Sequence, residues 1–236
     1  MNVDLCDPTR AITPTLDGPV LAVLAQAGRP LTVGEIAGRA ARGSEIGIRR
    51  SVARLVEQGI VTATQMGRNQ VHQLNREHVA APAAELLAGL RLELWKRLRE
   101  TIRGWRPRPL YACVFGSAAR GDGDPESDID LLVVHPPLPG ETAPRRQPAK
   151  QNIPPSAAGL EWTPMVLSKA KANAWRSQVD RLHEEVRQWT GNSLQVVDVS
   201  YWDWVGGMPS DAALFAEIQR DAVPLIGDPR EVAATT

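Results

Sequence analysis

Along the first third of the chain, apolar positions recur at helical spacing and then give way to strand-like alternation. Residues 20–26, Val-Leu-Ala-Val-Leu-Ala-Gln, follow Gly18-Pro19 and stop before Gly28, predicting a short apolar helix. Thr32, with Glu35 three residues later, has the form of a capping box and predicts a second helix to about Arg39. Ser44 predicts the cap of a third helix reaching Gln58, with Ile48, Val52 and Leu55 facing inward. Residues 60–66 and 70–74 read as two strands joined by a tight turn at Gly67-Arg68-Asn69.

The remaining two thirds change rhythm. Residues 84–105 predict one long helix with Leu87, Leu90, Leu94, Leu98 and Ile102 on a stripe, stopped by Pro107 and Pro109. Two apolar runs follow, Tyr111–Phe115 and residues 128–134, and read as strands. Residues 136–155 hold eight Pro or Gly together with Arg145, Arg146 and Lys150, and predict a flexible, basic loop. Residues 168–190 predict a helix burying Trp175, Val179, Leu182, Val186 and Trp189 on one face, and residues 193–200 form a third apolar strand carrying Asp198.

Hydrophobic residues make up 43% of the 236 and charged residues 23%, the balance of a core-forming chain. No apolar run approaches bilayer length, and the first residues lack the basic-then-apolar order of a signal peptide. Two cysteines cannot build a disulfide framework, so a cytoplasmic protein is expected, with Cys113 a buried small hydrophobe. Net charge is zero, yet residues 1–106 hold 15 Lys and Arg against 10 Asp and Glu, with the opposite imbalance beyond. A basic front half and an acidic back half imply different partners. His72 and His78 lie near no cysteine and show no ligand spacing, which argues against zinc and for a surface role of His72 in its strand.

The densest chemistry lies between residues 111 and 134. An apolar strand runs into Gly116-Ser117, and after ten residues Asp128 and Asp130 open the next strand. Carboxylates at i and i+2 of a strand share a face, a natural arrangement for holding a hard divalent cation through oxygen. Gly116 permits close approach of backbone to a ligand, and free N–H groups at the start of a following helix favour phosphate. The bland alternative is a strand–turn–strand connection with surface carboxylates.

The string Gly116-Ser117-Ala118-Ala119-Arg120-Gly121, with Ser127-Asp128-Ile129-Asp130-Leu131-Leu132-Val133, resembles the DNA polymerase beta-type nucleotidyltransferase superfamily, in particular its minimal nucleotidyltransferase branch. Such enzymes usually carry a third carboxylate on a later strand, and Asp198 is the candidate; residues 218–227 resemble the branch's closing segment. The three helices and hairpin, above all Val52–Val61, resemble a winged helix-turn-helix domain of bacterial transcription regulators. Together the resemblances imply an α+β protein: a tail at 1–16, a winged helix-turn-helix at 17–80, a nucleotidyltransferase domain with a mixed sheet flanked by helices at 84–228, and a tail at 229–236.

The first resemblance implies transfer of a nucleoside monophosphate from an NTP, with ATP the expected substrate. Asp128, Asp130 and Asp198 would be the catalytic residues and ligands for Mg²⁺ or Mn²⁺, and Gly116, Ser117, Arg120 and Ser127 would bind the nucleotide. The second implies DNA contacts from Arg49, Arg50 and Arg54 on the third helix and Arg68 at the wing tip, although these arginines would equally suit a solvated face. Expected partners are NTP, DNA, a protein or RNA acceptor such as a cognate toxin in a toxin–antitoxin pair, and a second copy through the long helix. The alternatives are a transcription regulator with an NTP-sensing or inactive domain and, behind it, a small-molecule nucleotidyltransferase of the aminoglycoside-modifying kind.

Overall fold

Local capping decides where the first helices begin. In the computed structural model, which describes residues 2–122, 126–141, 165–205 and 211–227, the Thr32 hydroxyl accepts from the Glu35 N–H while Glu35 accepts from the Thr32 N–H. This reciprocal box starts α2 (Val33–Arg39). Ser44 likewise caps α3 (Glu45–Glu57), and α1 spans Asp17–Gln26. Strands β1 (Val61–Met66) and β2 (Asn69–Leu74) pair antiparallel, with Met66 opposite Asn69, so Gly67-Arg68 alone forms the turn. Gly67 takes a φ of +60°, as a two-residue hairpin loop requires. The helices close over Val20, Leu24, Leu31, Ile36, Ile48, Val52 and Leu55, all buried with Val61 and Leu74 of the hairpin.

Three expectations need correction in this part of the chain. Residues 1–16, read as a tail, include a 3-10 helix at Pro8–Ala11 and bury Leu5 and Thr9. The buried Asp7 carboxylate anchors the segment by pairing with Arg42, which also donates to the Thr13 and Thr15 carbonyls. His72, expected at the surface, is 4% exposed, and its backbone N–H and C=O both pair with Leu31. Burial lowers its imidazole below the ordinary range. The division between units falls between Leu94 and Trp95, inside α4 (Ala81–Arg103), rather than ahead of that helix. Ala81 and Ala84 belong to the first core, whereas Leu98 and Ile102 are buried beyond the division.

The second unit is a four-stranded mixed sheet in the order β5-β4-β3-β6. Strand β3 (Tyr111–Phe115) runs into α5 (Gly116–Arg120) and pairs antiparallel with β4 (Ile129–His135). Helix α6 (Lys169–Thr190), capped by Ser168, leads through Gly191 to β5 (Leu194–Ser200), which lies parallel to β4. After α7 (Tyr201–Val205) and α8 (Ala212–Asp221), β6 (Val223–Ile226) returns antiparallel to β3.

Alternation gives this sheet two faces. Tyr111, Cys113, Phe115, Leu132, Val134 and Val199 share one face with Trp204 and Ile218, from α7 and α8. Burial there pushes the Cys113 thiol up to about 12, as expected for an inert core cysteine. On the other face Trp175 of α6 is fully buried and meets Trp105 edge-on at 5.2 Å. A side chain of this size contributes about 1.5–3 kcal/mol by leaving water. Of the basic loop expected at 136–155, residues 142–155 lie outside the described residues.

Candidate functional site

The turn from β3 into α5 is built around Gly116, whose φ of +68° lies in the left-handed region. Phe115 pairs with Asp130 across the β3–β4 ladder, so the Asp130 side chain sits directly against the glycine. A Cβ at residue 116 would lie 2.3 Å from Asp130 Oδ2. The absent side chain therefore makes room for the carboxylate, and the backbone geometry requires glycine there. No side chain caps the start of α5.

Asp128 precedes β4 by one residue and stands on the Asp130 face. Its Oδ2 accepts from Gln195 Nε2 at 3.3 Å. Burial raises the Asp130 carboxyl above its ordinary range, and the charges of Asp128 and Glu217 push it further, against a smaller opposing effect of Arg120. The pair is thus an accumulation of negative charge, and two carboxylates on one face, Asp130 seated against a side-chain-free glycine, fit a hard divalent cation. Ser117 follows Gly116 at the first turn, half-buried. Ser127 contributes its carbonyl to the fold, accepting from Asn192 Nδ2 at 3.2 Å, and this bond ties the loop before Asp128 to the start of β5.

Two expected site residues have other partners within the fold. Arg120 donates to Asp122 at 2.9 Å, to Glu217 at 3.0 Å and to Asp221 at 3.2 Å. Its guanidinium clamps α5 to α8 and is raised still further above its ordinary value by these three carboxylates. Asp198 is not gathered with Asp128 and Asp130. Parallel pairing places it beside Val133, three residues beyond the Asp130–Gln195 pair. An odd offset reverses the face, and three residues span roughly 10 Å. On that opposite face Asp198 Oδ2 accepts from Trp175 Nε1 at 2.9 Å, and Oδ1 lies 3.8 Å from His135 Nε2. Burial raises its carboxyl, the nearby Glu141 adding to the effect, while Trp175 and His135 oppose it. Among the described residues, no cluster of three or more His, Cys, Asp or Glu side chains is suited to hold a metal ion.

Gln195, Glu217 and Asp221 escaped the sequence reading. Only the register of β5 brings Gln195 to the pair, and only the packing of α8 on α5 brings the two acids to Arg120; neither relation leaves a local pattern.

The basic residues of the first unit divide by their commitments. Arg49 pairs with Glu45 one turn earlier at 2.9 Å, both side chains being mostly exposed. Arg54 pairs with Asp17, which also accepts from Ser51 at 2.6 Å. Although burial pushes the Asp17 carboxyl up, these bonds outweigh it and hold the group below its ordinary range. Arg50 is exposed on α3, and Arg68 is exposed at the hairpin tip. Ion pairs this exposed are worth about 0–1 kcal/mol, little hindrance to an exchange of partner.

Residues 93–190 match the family model for a nucleotidyltransferase domain. That stretch, less than half of the chain, runs from α4 to the end of α6 and encloses Gly116, Asp128 and Asp130, but stops before β5. Searches of curated proteins and of solved structures found no match. Among the described residues no helix is long and apolar enough to cross a membrane.

Proposed function

We propose that this protein transfers a nucleoside monophosphate from an NTP, ATP by expectation, to a hydroxyl of a protein or RNA acceptor. Its first unit, read as a winged helix, would bind DNA. The single observation that carries the transfer reading is the seating of Asp130 against Gly116, inside the stretch that matches a nucleotidyltransferase domain.

In that reaction the acceptor hydroxyl oxygen forms a new bond to the α-phosphorus and gives up its proton to solvent, the bond to the bridging oxygen breaks, and pyrophosphate leaves. Asp128 and Asp130 would hold Mg²⁺ or Mn²⁺, which when bound supplies positive charge against the triphosphate. Gly116 lets the chain approach the phosphates without a side chain in the way, and Ser117 offers a hydroxyl donor beside it. Glu217, which accepts from Arg120, adds its negative charge to the burden on Asp130 and so favours a cation there. Catalysis would come from positioning and fixed charge, with no covalent enzyme intermediate.

Incubation with Mg²⁺ and each NTP labelled at the α-phosphate, with host lysate and beside Asp130→Asn, tests the reading. Label on a protein or RNA band with the native enzyme alone is the expected result. Undiminished labelling by Asp130→Asn refutes it.

The neutral Gln195 beside the carboxylates favours a second reading, a DNA-binding regulator whose back half senses NTP. Operator binding altered by Mg-NTP without transfer would support it. For the DNA contacts, Arg50→Ala and Arg68→Ala are expected to weaken binding and flatten its salt dependence. An unchanged salt slope in both would count against DNA recognition by this face.

A further inference from the structure

We infer that Gln195 occupies the third ligand position of the carboxylate site and thereby limits the site to one divalent cation. The inference rests on the nucleotidyl-transfer reading. Residues paired across neighbouring strands project to the same face, and Gln195 pairs with Asp130. It is the β5 side chain beside the pair, and the next on the same face, Val197, pairs with Leu132 and is apolar. The contact between Gln195 Nε2 and Asp128 Oδ2 shows that the side chain reaches the site.

Chemistry follows from that placement. An amide nitrogen turned to a carboxylate donates a hydrogen bond and cannot ligate a cation, whereas a carboxylate at the same position would add a charge and up to two ligand oxygens. Two aspartates balance the charge of one divalent cation. A bound triphosphate lends its own oxygens to that cation, so a second cation, on the acceptor side of the phosphates, would depend on a further ligand from the protein. Asp198, the nearest acid on β5, projects to the other face and is bound to Trp175. Glu217 is bound to Arg120 at 3.0 Å. The same lack leaves no third carboxylate on the Asp130 face of β3, β4 and β5 to take up the acceptor proton, which makes transfer slow unless the acceptor is already activated.

The test counts bound Mn²⁺ on the full chain by electron paramagnetic resonance, with and without saturating α,β-methylene-ATP, for the native protein, Gln195→Glu and Asp130→Asn. One Mn²⁺ per nucleotide-bound native chain, rising to two in Gln195→Glu, is the expected outcome. Two in the native chain overturn the inference while leaving the transfer reading intact, as does a count of one in both. No Mn²⁺ on the native chain beyond that held by free nucleotide overturns the transfer reading itself. Coincident thermal melting of native protein and Gln195→Glu is required for the comparison, and Gln195→Asp, for which a count of two is expected and a count of one overturns the inference, replaces the glutamate variant if it does not fold.

Discussion

Gly116→Ala should damage both the fold and the proposed cation site, and by an amount that the geometry fixes. Its φ of +68° places an added Cβ in the left-handed region, and that Cβ would meet Asp130 Oδ2 at 2.3 Å and Cγ at 3.2 Å. The backbone conformation alone costs roughly 1–2 kcal/mol for a residue with a side chain. Relieving the contact requires Asp130 to leave its rotamer, at about 0.5–1.5 kcal/mol. Together these give about 1.5–3.5 kcal/mol, which for a unit of this size lowers the melting temperature by roughly 3–14 °C. The displaced carboxylate no longer converges with Asp128, so Mn²⁺ affinity falls as well. Calorimetry and Mn²⁺ titration are best run beside Gly89→Ala, whose added Cβ meets no atom within 4 Å. In the interior of α4 that substitution should stabilise by up to about 1 kcal/mol. A Gly116→Ala protein that melts with the native one and binds Mn²⁺ as tightly would refute this account of the turn.

Three further outcomes follow from other parts of the fold. Asp198→Asn should leave Mn²⁺ binding unchanged where Asp130→Asn abolishes it; equal losses would mean that both acids serve one site. Trp175→Phe removes the donor to Asp198, which should cost about 1 kcal/mol and move the Asp198 carboxyl titration, followed by NMR, further up; a downward shift would contradict the bonding described. Glu35, held down to about 2 by Arg29 and then by Thr32, contributes stability that is present above its unfolded value of 4.5 and is lost as pH falls from there toward 2. Acid unfolding of Glu35→Gln should therefore be flatter across that window, and Thr32→Ala should cost about 1 kcal/mol at neutral pH.

What the sequence determined by itself was local. The capping box at Thr32 and Glu35, the helix start at Ser44, the tight turn at Gly67 and the Gly116 to Asp130 string are each written in residues a few positions apart, because backbone conformation and hydrogen bonding within a turn act over that range. Periodicity likewise foretold the helices through Trp175 and the strand around Asp198. What the local pattern could not carry was which side chains meet. Residues 3–16 join the first unit because Asp7 finds Arg42, 35 positions away. The β4–β5 register, set by side-chain packing across the whole sheet, turns Asp198 to Trp175 and His135 and brings Gln195 to Asp128. A shift of one residue in that register would exchange the two faces. The carboxylate pair is thus a property of the sequence, whereas the side chain that lies beside it, Gln195, was decided only when β5 settled against β4.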